Sequence, residues 1–410
     1  MSAAERVPVG ADDAAAGGRV GASPRVPEVH VLTPGDHFSP RTGSAIPTVV
    51  DGLCAALPPG TSPRPRVVVA DGTYPDRYSS ADVIGYPPAP ARRTDRYLDA
   101  LAGQVNLPRP GVRRTLRPTL AAQDDWPAGV VLAHNAPQLV PLVHDRHAAV
   151  LYAHNLLLRT YSPTEAGRVL GRAAAIVCVS GALADQTADH LPSTLRGRLR
   201  VVPNGVDTTR FTPRADPARG ARLRVMFVGR MIRDKGADVV LDAVARLDRD
   251  DVELMIVGSR NFDAGAPPSR YERELTERAA ALGDRVRFWP FTPRAQLAEV
   301  YQAADVVVVP SRWAEPFALT VMEGMACGVP VVASAIGGIP EVMGDAGVQV
   351  RPDDPADLAA ALEALADDEA LRRLIGATCR RWAQARDWAW SRSRLDAVLT
   401  GLGVSPTLAG

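Results

Sequence analysis

The chain has 410 residues, which predicts two domains, because a single hydrophobic core stops growing well below this size. Its apolar fraction of 46% and charged fraction of 23% are those of a soluble globular protein. The formal net charge of +1 predicts no general attraction to nucleic acid or to an anionic membrane, and no apolar run reaches the roughly 18 residues that a membrane span needs.

The first part of the chain predicts a tail rather than a folded element. Residues 1–27 are rich in Ala, Gly and Pro without periodicity, which is typical of disorder, and charges interrupt any signal-peptide core. The four cysteines of the chain lie far apart and form no CxxC pair, so a zinc site or a disulfide framework is not expected. These features predict a reduced, cytoplasmic protein.

Short apolar runs alternate with helix-length segments along almost the whole chain. Continuous hydrophobicity marks strands that are buried on both faces, as in parallel sheets covered by helices. The predicted strands are 29–32, 67–70, 130–133, 150–153, 176–179 and 200–202, followed by 224–228, 253–257, 285–289, 306–309 and 331–333. This pattern predicts two α/β domains, over residues 28–207 and 221–385, joined by a turn-rich linker at 208–220.

Candidate ligand groups follow the predicted strands of the first domain. Gly43 and Ser44 precede a predicted helix, where glycine lets the backbone approach a phosphate, although a simple helix start is the alternative. His134 and His154 each end a predicted strand, so each can donate to a ligand hydroxyl or stabilise developing charge, unless it only lines the ligand site. His37 is the first-loop candidate for a general base, or lies in a mobile loop.

Residues 79–122 are the least regular part of the first domain. They contain six prolines, and residues 92–117 contain seven arginines and two aspartates. This composition predicts a long basic insertion. Two interpretations remain open. The segment either closes over a bound substrate or recognises an anionic one, or it is a solvated or disordered excursion.

Two cationic residues lie near the start of the second predicted domain. A predicted strand leads to Gly229 and Arg230, and Lys235 follows five residues after Arg230, at the start of a predicted helix. Cations at a strand end and a helix start are well placed to clamp a diphosphate and to stabilise it as it leaves. The alternative is a solvated loop with ordinary surface charges.

The most informative stretch lies between Glu315 and Glu323, two carboxylates with seven residues between them. They enclose a turn and the first turns of a helix that we expect to begin near Leu319. The free N–H groups and the positive dipole end of such a helix predict an anion above the turn, against the alternative of a capped core helix. On either side of that anion, the carboxylates of Glu315 and Glu323 can accept hydrogen bonds from hydroxyl groups of the ligand. An anion between two sets of hydroxyls describes a nucleotide diphosphate sugar.

These motifs together resemble the retaining GT-B glycosyltransferases of family 4. The matching patterns are Gly-Arg-x4-Lys-Gly at 229–236, Glu-x7-Glu within EPFALTVMEGMACGVPVVAS, Gly-Gly-Ile-Pro-Glu at 337–341, and an interdomain junction, VPNGVD, at 202–207. The resemblance covers residues 29–390. It implies two Rossmann-like, doubly wound parallel-sheet domains that face a central cleft, with a C-terminal helix and tail over 386–410 returning to the first domain. The run His134-Asn135-Ala136-Pro137 is similar to the spore-coat-type and natural-product members.

The resemblance also implies a role for each candidate residue. Glu315 would bind the donor sugar hydroxyls, Arg230 and Lys235 would hold the diphosphate, and His134 would contact the donor. The implied donor-binding residues are Glu323 at the ribose, the main chain of Phe317, Ala318, Leu319 and Thr320, the loop residues Gly43 and Ser44, and Phe291 and Thr292 at the base. His154, His37 and Asn135 would line the cleft or meet the acceptor. The family commonly has Gly at the position of Ala318.

We therefore expect a metal-independent enzyme that transfers a hexosyl unit from a nucleotide diphosphate sugar, with UDP as the nucleotide and with retention of anomeric configuration. The acceptor would be a small soluble molecule such as a cyclitol or a natural-product aglycone. No cofactor and no nucleic-acid partner is expected, and the oligomeric state stays open. Two alternatives remain: a nucleotide-sugar 2-epimerase, which would turn over donor without acceptor, and a non-catalytic glycosyltransferase-like partner protein.

Overall fold

The computed structural model describes residues 25–215, 222–260 and 265–403. The tail predicted over residues 1–27, apart from its last three residues, lies outside the described residues, as do residues 216–220 of the predicted linker. The described chain forms two compact units. The first holds residues 25–39, 46–203 and 392–403, and the second holds residues 40–45, 204–215, 222–260 and 265–391.

The first unit is a parallel sheet whose strands alternate with helices. In chain order its elements are β1 (Glu28–Val31), α1 (Ala45–Ala55), β2 (Arg66–Ala70), β3 (Asp82–Tyr86), α2 (Asp95–Gln104), α3 (Pro110–Leu116), β4 (Val130–His134), β5 (Ala148–Ala153), α4 (Pro163–Leu170), β6 (Ala175–Cys178), α5 (Gly181–Ala188), α6 (Ser193–Arg196) and β7 (Leu199–Val201). Within the described part of this unit the strand order is β3-β2-β1-β4-β5-β6-β7, and neighbouring strands are parallel. The central strands are buried throughout, as continuous apolar runs predict.

The second unit repeats this plan. Its elements are β8 (Leu223–Val228), α7 (Ala237–Arg246), β9 (Val252–Val257), α8 (Arg270–Ala279), β10 (Val286–Trp289), α9 (Leu297–Gln302), β11 (Val306–Val309), α10 (Leu319–Ala326), β12 (Val331–Ser334), α11 (Ile339–Met343), β13 (Val348–Val350), α12 (Pro355–Asp367), α13 (Glu369–Gln384) and α14 (Trp388–Gly401). The order of the described strands is β10-β9-β8-β11-β12-β13, again parallel. From residue 392 onward α14 belongs to the first unit.

The cores follow from the apolar faces of these elements. In the first unit a buried cluster beneath α1 joins Leu32, Phe38 and Val50 to the β2 residue Val67. In the second, α7 and α12 lie against the sheet and contribute to one continuous cluster. Each fully buried Leu, Val or Phe side chain contributes roughly 1.5–3 kcal/mol to folding. In the part of the chain that the structure describes, no helix is both long and apolar enough to cross a membrane.

All of the predicted strands are present, with ends within two residues of the predicted ones. Two observed strands, β3 and β13, were not predicted. Both lie at sheet edges and are partly exposed, so neither has the continuous apolar run of a central strand. The predicted irregular insertion over 79–122 is wrong in its local structure, because β3, α2 and α3 lie there. The segment contains an edge strand and two helices separated by short proline-containing turns.

The strand order of each sheet reverses once, between β1 and β4 in the first unit and between β8 and β11 in the second. In open α/β sheets, ligands bind beyond the carboxyl ends of the strands at this switch point. The predicted residues that follow β4, β8 and β11 therefore lie at the expected edge of each sheet.

Candidate active site

The first carboxylate of the predicted pair, Glu315, is buried in the loop after β11. Its Oε1 accepts hydrogen bonds from Ser311 Oγ at 2.7 Å and from Lys235 Nζ at 2.5 Å. The main-chain oxygen of Glu315 accepts from the N–H of Gly338 at 2.7 Å. A Cβ at Gly337, where φ is +60°, would lie 2.5 Å from that same oxygen. The Gly-Gly motif therefore holds the Glu315 loop by close backbone packing that a side chain would prevent.

Lys235 reaches Glu315 from the turn that follows β8. The next residue, Gly236, has φ +73°, and a Cβ there would lie 2.0 Å from the main-chain oxygen of Pro310. Only glycine fits a turn that is both left-handed and this close to the neighbouring chain. The Lys-Gly pair of the sequence motif thus places the ammonium group of Lys235 beside the loop after β11.

An ion-pair network beside this turn was not predicted from the sequence. Arg312 donates to both carboxylate oxygens of Asp238, at 2.6 and 2.9 Å, and to Asp353 at 2.6 Å. The Tyr271 hydroxyl donates to Asp238 at 2.7 Å. Burial acts against ionisation of Asp238, but the hydrogen bonds from Arg312 and Tyr271 outweigh it and lower the pKa of Asp238. The network ties the start of α7 to the loop after β11, and so fixes the two chain segments that carry Lys235 and its partner.

Arg230 stands in different surroundings. It directly follows β8 and is exposed. Its guanidinium forms no hydrogen bond or ion pair with any residue that the structure describes, whereas the Lys235 side chain is 23% exposed and paired. Arg230 is therefore a cation at the carboxyl end of a central strand, accessible to an anionic ligand.

Helix α10 begins at Leu319, as predicted. Its N-cap residue, Ala318, has the left-handed values φ 63° and ψ 76°. For a residue with a Cβ this conformation costs roughly 1–2 kcal/mol, and a glycine at this position would avoid that cost. Phe317 is buried before the turn, and the first N–H groups of the helix, including those of Leu319 and Thr320, have no acceptor within α10. The turn thus presents main-chain donors, as an anion site requires.

The second carboxylate, Glu323, follows Leu319 by four residues and so lies on the same face of α10. It is buried, and Arg294 Nη1 lies 2.7 Å from its Oε1 while the Tyr301 hydroxyl donates to its Oε2 at 2.9 Å. Burial raises the pKa of Tyr301 well above its usual value, so the phenol stays a donor. Arg294 was missed in the sequence. The signal was its place two residues after Thr292, in the loop already predicted to hold the base.

The two base-binding candidates lie in that loop after the edge strand β10. Phe291 and Thr292 are both half-buried, and Thr292 Oγ1 donates weakly to the main-chain oxygen of Pro290 at 3.4 Å. Gly43 and Ser44 directly precede α1, as predicted, but residues 40–45 belong to the second compact unit although α1 continues into the first.

The histidines of the first unit differ from the prediction in their contacts. His134 is fully buried, and its two ring nitrogens lie 2.9 Å from His30 Nδ1 and 2.8 Å from His154 Nε2. Neither nitrogen of His134 is left to donate to a sugar hydroxyl, so the direct donor contact that the sequence predicted is not available in this structure. Asn135 has φ 52°, and its Oδ1 accepts the backbone N–H of His154 at 2.8 Å. Asn135 thus positions His154.

His37 also has its own partner. Its Nδ1 accepts the backbone N–H of Tyr74 at 2.9 Å, and the two rings lie 4.4 Å apart. The neutral His37 ring therefore carries its proton on Nε2, and its lone-pair nitrogen is occupied. This geometry does not favour His37 as a general base.

Comparison with known proteins gives the family. The model described as Glycosyltransferase Family 4 matches residues 27–210, and the model described as Glycosyl transferases group 1 matches residues 222–368. A D-inositol 3-phosphate glycosyltransferase of Kineococcus radiotolerans is 34% identical over 386 residues, which cover 86% of this chain and 82% of that protein. The chain belongs to glycosyltransferase family 4. A protein of the same name from Geodermatophilus obscurus is 38% identical, over 64% of this chain and only 61% of its own length. The similarity to that relative thus spans less than two thirds of it.

Solved structures show the same GT-B fold. HepE of Anabaena, in complex with UDP and glucose, superposes with a TM-score of 0.68 at 18% identity, over 92% of this chain and 100% of that one. Sucrose-phosphate synthase of Thermosynechococcus elongatus superposes with a TM-score of 0.72 at 22% identity, over 92% of this chain and 99% of that one. Two parallel α/β units of the GT-B class are therefore the architecture of this family 4 chain.

Proposed function

We propose that the chain is a retaining glycosyltransferase that moves a hexosyl unit from a UDP-sugar to a hydroxyl group of a small cyclitol. The observation that carries the proposal is the pair of buried carboxylates around the start of α10, Glu315 and Glu323, each of which pairs with a cation. Main-chain donors lie between them. This arrangement matches the hydroxyls, phosphates and ribose of a nucleotide sugar in the order in which they occur along the molecule.

Each residue then has a chemical task. Glu315 accepts hydrogen bonds from the transferred sugar, and Glu323 does so from the ribose. Arg230 and Lys235 hold the diphosphate, and together with the first N–H groups of α10 they stabilise the negative charge that grows as it leaves. We place the base of the nucleotide against the main chain of Phe291 and Thr292.

Retention follows from front-face attack. As the bond between the sugar and the diphosphate breaks, a departing phosphate oxygen accepts the proton of the attacking hydroxyl, so no separate protein base is needed. The occupied Nδ1 of His37 is consistent with this mechanism. We also propose that transfer needs no divalent metal ion, because Arg230, Lys235 and the helix N-terminus supply positive charge where other transferases place one. A cytoplasmic location is part of the same proposal.

The acceptor class is supported by the relatives. The similar proteins of Kineococcus radiotolerans and Geodermatophilus obscurus are both named D-inositol 3-phosphate glycosyltransferases. A phosphorylated cyclitol is therefore the first acceptor to test, ahead of unphosphorylated cyclitols and natural-product aglycones.

The test begins with donor binding. UDP-, GDP- and ADP-sugars are screened by thermal shift, because a ligand that binds the folded state raises its apparent stability. The best donor is then incubated with inositol phosphates, with and without EDTA, and the product linkage is read by NMR. An α-linked product from an α-linked donor, formed in EDTA, is expected. A β-linked product overturns retention, donor turnover without acceptor indicates an epimerase, and binding without turnover for any acceptor indicates a non-catalytic relative.

A further inference from the structure

Three histidines form a continuous buried row across the first sheet. His30 Nδ1 lies 2.9 Å from His134 Nε2, and His134 Nδ1 lies 2.8 Å from His154 Nε2. The rings stack at centroid distances of 5.2 and 5.1 Å. None of the three is more than 7% exposed. Each link joins Nδ1 of one ring to Nε2 of the next. The nitrogen that carries the proton in one ring therefore determines which nitrogen carries it in the other two.

The strand register produces the row. His30 pairs with Leu132, and His134, two residues further along β4, points to the same face of the sheet. His134 in turn pairs with Tyr152, and His154 follows Tyr152 by two residues. The row thus runs diagonally over β1, β4 and the end of β5, toward the carboxyl edge of the sheet at its switch point.

The inner end of the row, His30, lies next to an ion pair between Glu28 and Arg392. Glu28 Oε2 lies 3.7 Å from His30 Nε2, and both carboxylate oxygens of Glu28 accept from Arg392, at 2.8 and 2.5 Å. Burial acts against ionisation of Glu28, but the His30 ring and the Arg392 guanidinium outweigh it and lower its pKa to about 2. A carboxylate can only accept, so it favours a proton on His30 Nε2.

The competing neighbour of the same nitrogen is a thiol. Cys54 Sγ lies 3.8 Å from His30 Nε2 and could donate to it, which would reverse every proton position in the row. An S–H is a weak donor, whereas a charged acceptor forms the stronger interaction. Glu28 therefore decides the polarity. With that polarity, His30 Nδ1 would accept from His134 Nε2–H, and His134 Nδ1 would accept from His154 Nε2–H.

The outer end of the row is a nitrogen without a protein partner. His154 Nδ1 is buried, and no described residue forms a hydrogen bond with it. The His154 main chain is held by Asn135, and its ring lies 4.8 Å from the Tyr152 ring at an interplanar angle of 4°. We propose that the row fixes His154 Nδ1 as a hydrogen-bond acceptor for a sugar or cyclitol hydroxyl, with Glu28, His30 and His134 as positioning residues.

This inference rests on the proposed function for the nature of its ligand, but its central claim can be measured without activity. The chain has seven histidines, so histidine labelled with ¹⁵N gives a spectrum that single variants can assign. Long-range ¹H–¹⁵N correlation separates the protonated nitrogen of each ring from the unprotonated one. We expect a proton on Nε2 and none on Nδ1 for all three rings of the row. A proton on Nδ1 of His154 in the unaltered protein would overturn the proposal.

Variants of the inner end test the cause. Glu28→Gln removes the fixed acceptor, since an amide can also donate to His30, and we expect His154 to show a mixed or reversed proton position. Cys54→Ala is the matched control, because it removes the competing neighbour and should leave all three rings unchanged. An unchanged His154 spectrum in folded Glu28→Gln would show that the ion pair does not set the row.

Variants of the outer end test the ligand. Asn in place of His154 keeps an amide oxygen near the position of Nδ1, whereas Gln keeps one near Nε2. We expect His154→Gln to raise KM by about 3- to 10-fold and His154→Asn to raise it less, with kcat little changed in both. KM is measured separately for donor and acceptor, and the one that rises identifies whose hydroxyl meets Nδ1. Equal KM values in both variants and the unaltered protein would remove the ligand role. If no sugar transfer is found at all, the NMR result still decides the row by itself.

Discussion

The two cations predicted to hold the diphosphate differ in their side-chain contacts. We therefore expect their substitutions to have different effects on stability and activity. Arg230 has no partner among the described residues, so Arg230→Ala should change the free energy of unfolding by less than about 0.5 kcal/mol. It should still lower kcat/KM by about 100-fold, because the lost charge acts on the leaving diphosphate. Lys235→Ala should lower both activity and stability, since among the described residues it leaves the buried Glu315 carboxylate with Ser311 as its hydrogen-bond partner, at a cost of about 2 kcal/mol.

Arg233→Ala is the matched control for both variants. Arg233 belongs to the same turn, but its side chain is 64% exposed and pairs with Glu274 at the surface. We expect its loss to leave both kcat/KM and the free energy of unfolding nearly unchanged. Near-native steady-state turnover in Arg230→Ala would contradict the role of Arg230, and urea denaturation separates the stability effects.

Ala318 offers a second residue-scale prediction. Its left-handed conformation strains an alanine, so Ala318→Gly should stabilise the protein by about 0.5 kcal/mol, after the added entropy of the unfolded chain is set against the relieved strain. Ala360→Gly, at an exposed position within α12, is the opposite control and should cost about 1 kcal/mol. Both values come from urea denaturation. Destabilisation by Ala318→Gly would mean that the N-cap of α10 is not strained.

At the scale of elements, the central strands could be predicted because a run such as Val306–Val309 is apolar on both faces and is bounded by turns. The edge strand β3 could not, since its sequence contains Asp82 and Gly85 and most of it is exposed. Helices α2 and α3 were read as a loop because of their prolines and arginines. Pro110 in fact lies at the first position of α3, where a missing N–H costs nothing.

The α2–α3 segment is held by polar contacts more than by a core, because α2 buries none of its side chains. Arg109 donates to both oxygens of buried Glu165, at 2.7 and 3.0 Å, and to the main-chain oxygen of Thr160 at 2.7 Å. We expect Arg109→Ala to destabilise the first unit by about 3 kcal/mol, since it leaves the Glu165 carboxylate buried and unpaired.

Hydrogen exchange can measure the destabilisation by Arg109→Ala in the individual helices of the first unit. In Arg109→Ala, exchange should rise in peptides from α2, α3 and α4, while peptides from the second unit stay as they are. Arg93→Ala, in the exposed turn before α2, is the control and should leave exchange unchanged. Retained protection of α2 and α3 in Arg109→Ala would show that other contacts hold the segment. Within the same segment Arg114 forms an ion pair with Asp95, so a neighbouring carboxylate already engages this arginine.

At the scale of the whole molecule, the candidate residues that the sequence indicates are those that belong to a local motif. Glu315 and Glu323 share one loop and helix, so their spacing alone indicates their use. Arg294 and His30 gain their partners only through the packing of distant elements, and no local pattern reports it. His134 shows the limit, since its place at a strand end was predicted but its engagement within a row of rings depends on the register of three strands.

That row also predicts how the stability of the first unit depends on pH. Burial lowers the pKa of His154 to about 3 and that of His134 well below its usual value, and the neighbouring histidine rings act in the same direction. The other titratable groups that face the row are Glu28, Cys54 and Tyr152, from β1, α1 and β5.

In the unfolded chain a histidine titrates near pH 6.5. Below that pH the unfolded state binds more protons than the folded one, so the stabilisation is complete above about pH 6.5 and is lost as the pH falls toward 3. His134 and His154 should then each lower the free energy of unfolding by about 1.4 kcal/mol for each pH unit below that point. Glu28, with a pKa of about 2 against 4.5 for an unperturbed group, adds its own loss only below about pH 4.5.

The interval from pH 6.5 to 4.5 therefore isolates the histidines. Over it, His154→Asn should lose about 2–3 kcal/mol less stability than the unaltered protein, because one titrating group has been removed. Urea denaturation followed by hydrogen exchange of peptides from β1, β4 and β5 confines the measurement to the first unit. Repeating it in about 0.5 M NaCl should leave the difference in place, since buried groups are screened little. If both proteins lose the same stability over this interval, His154 is not held neutral by the fold, and the row cannot have the fixed polarity inferred for it.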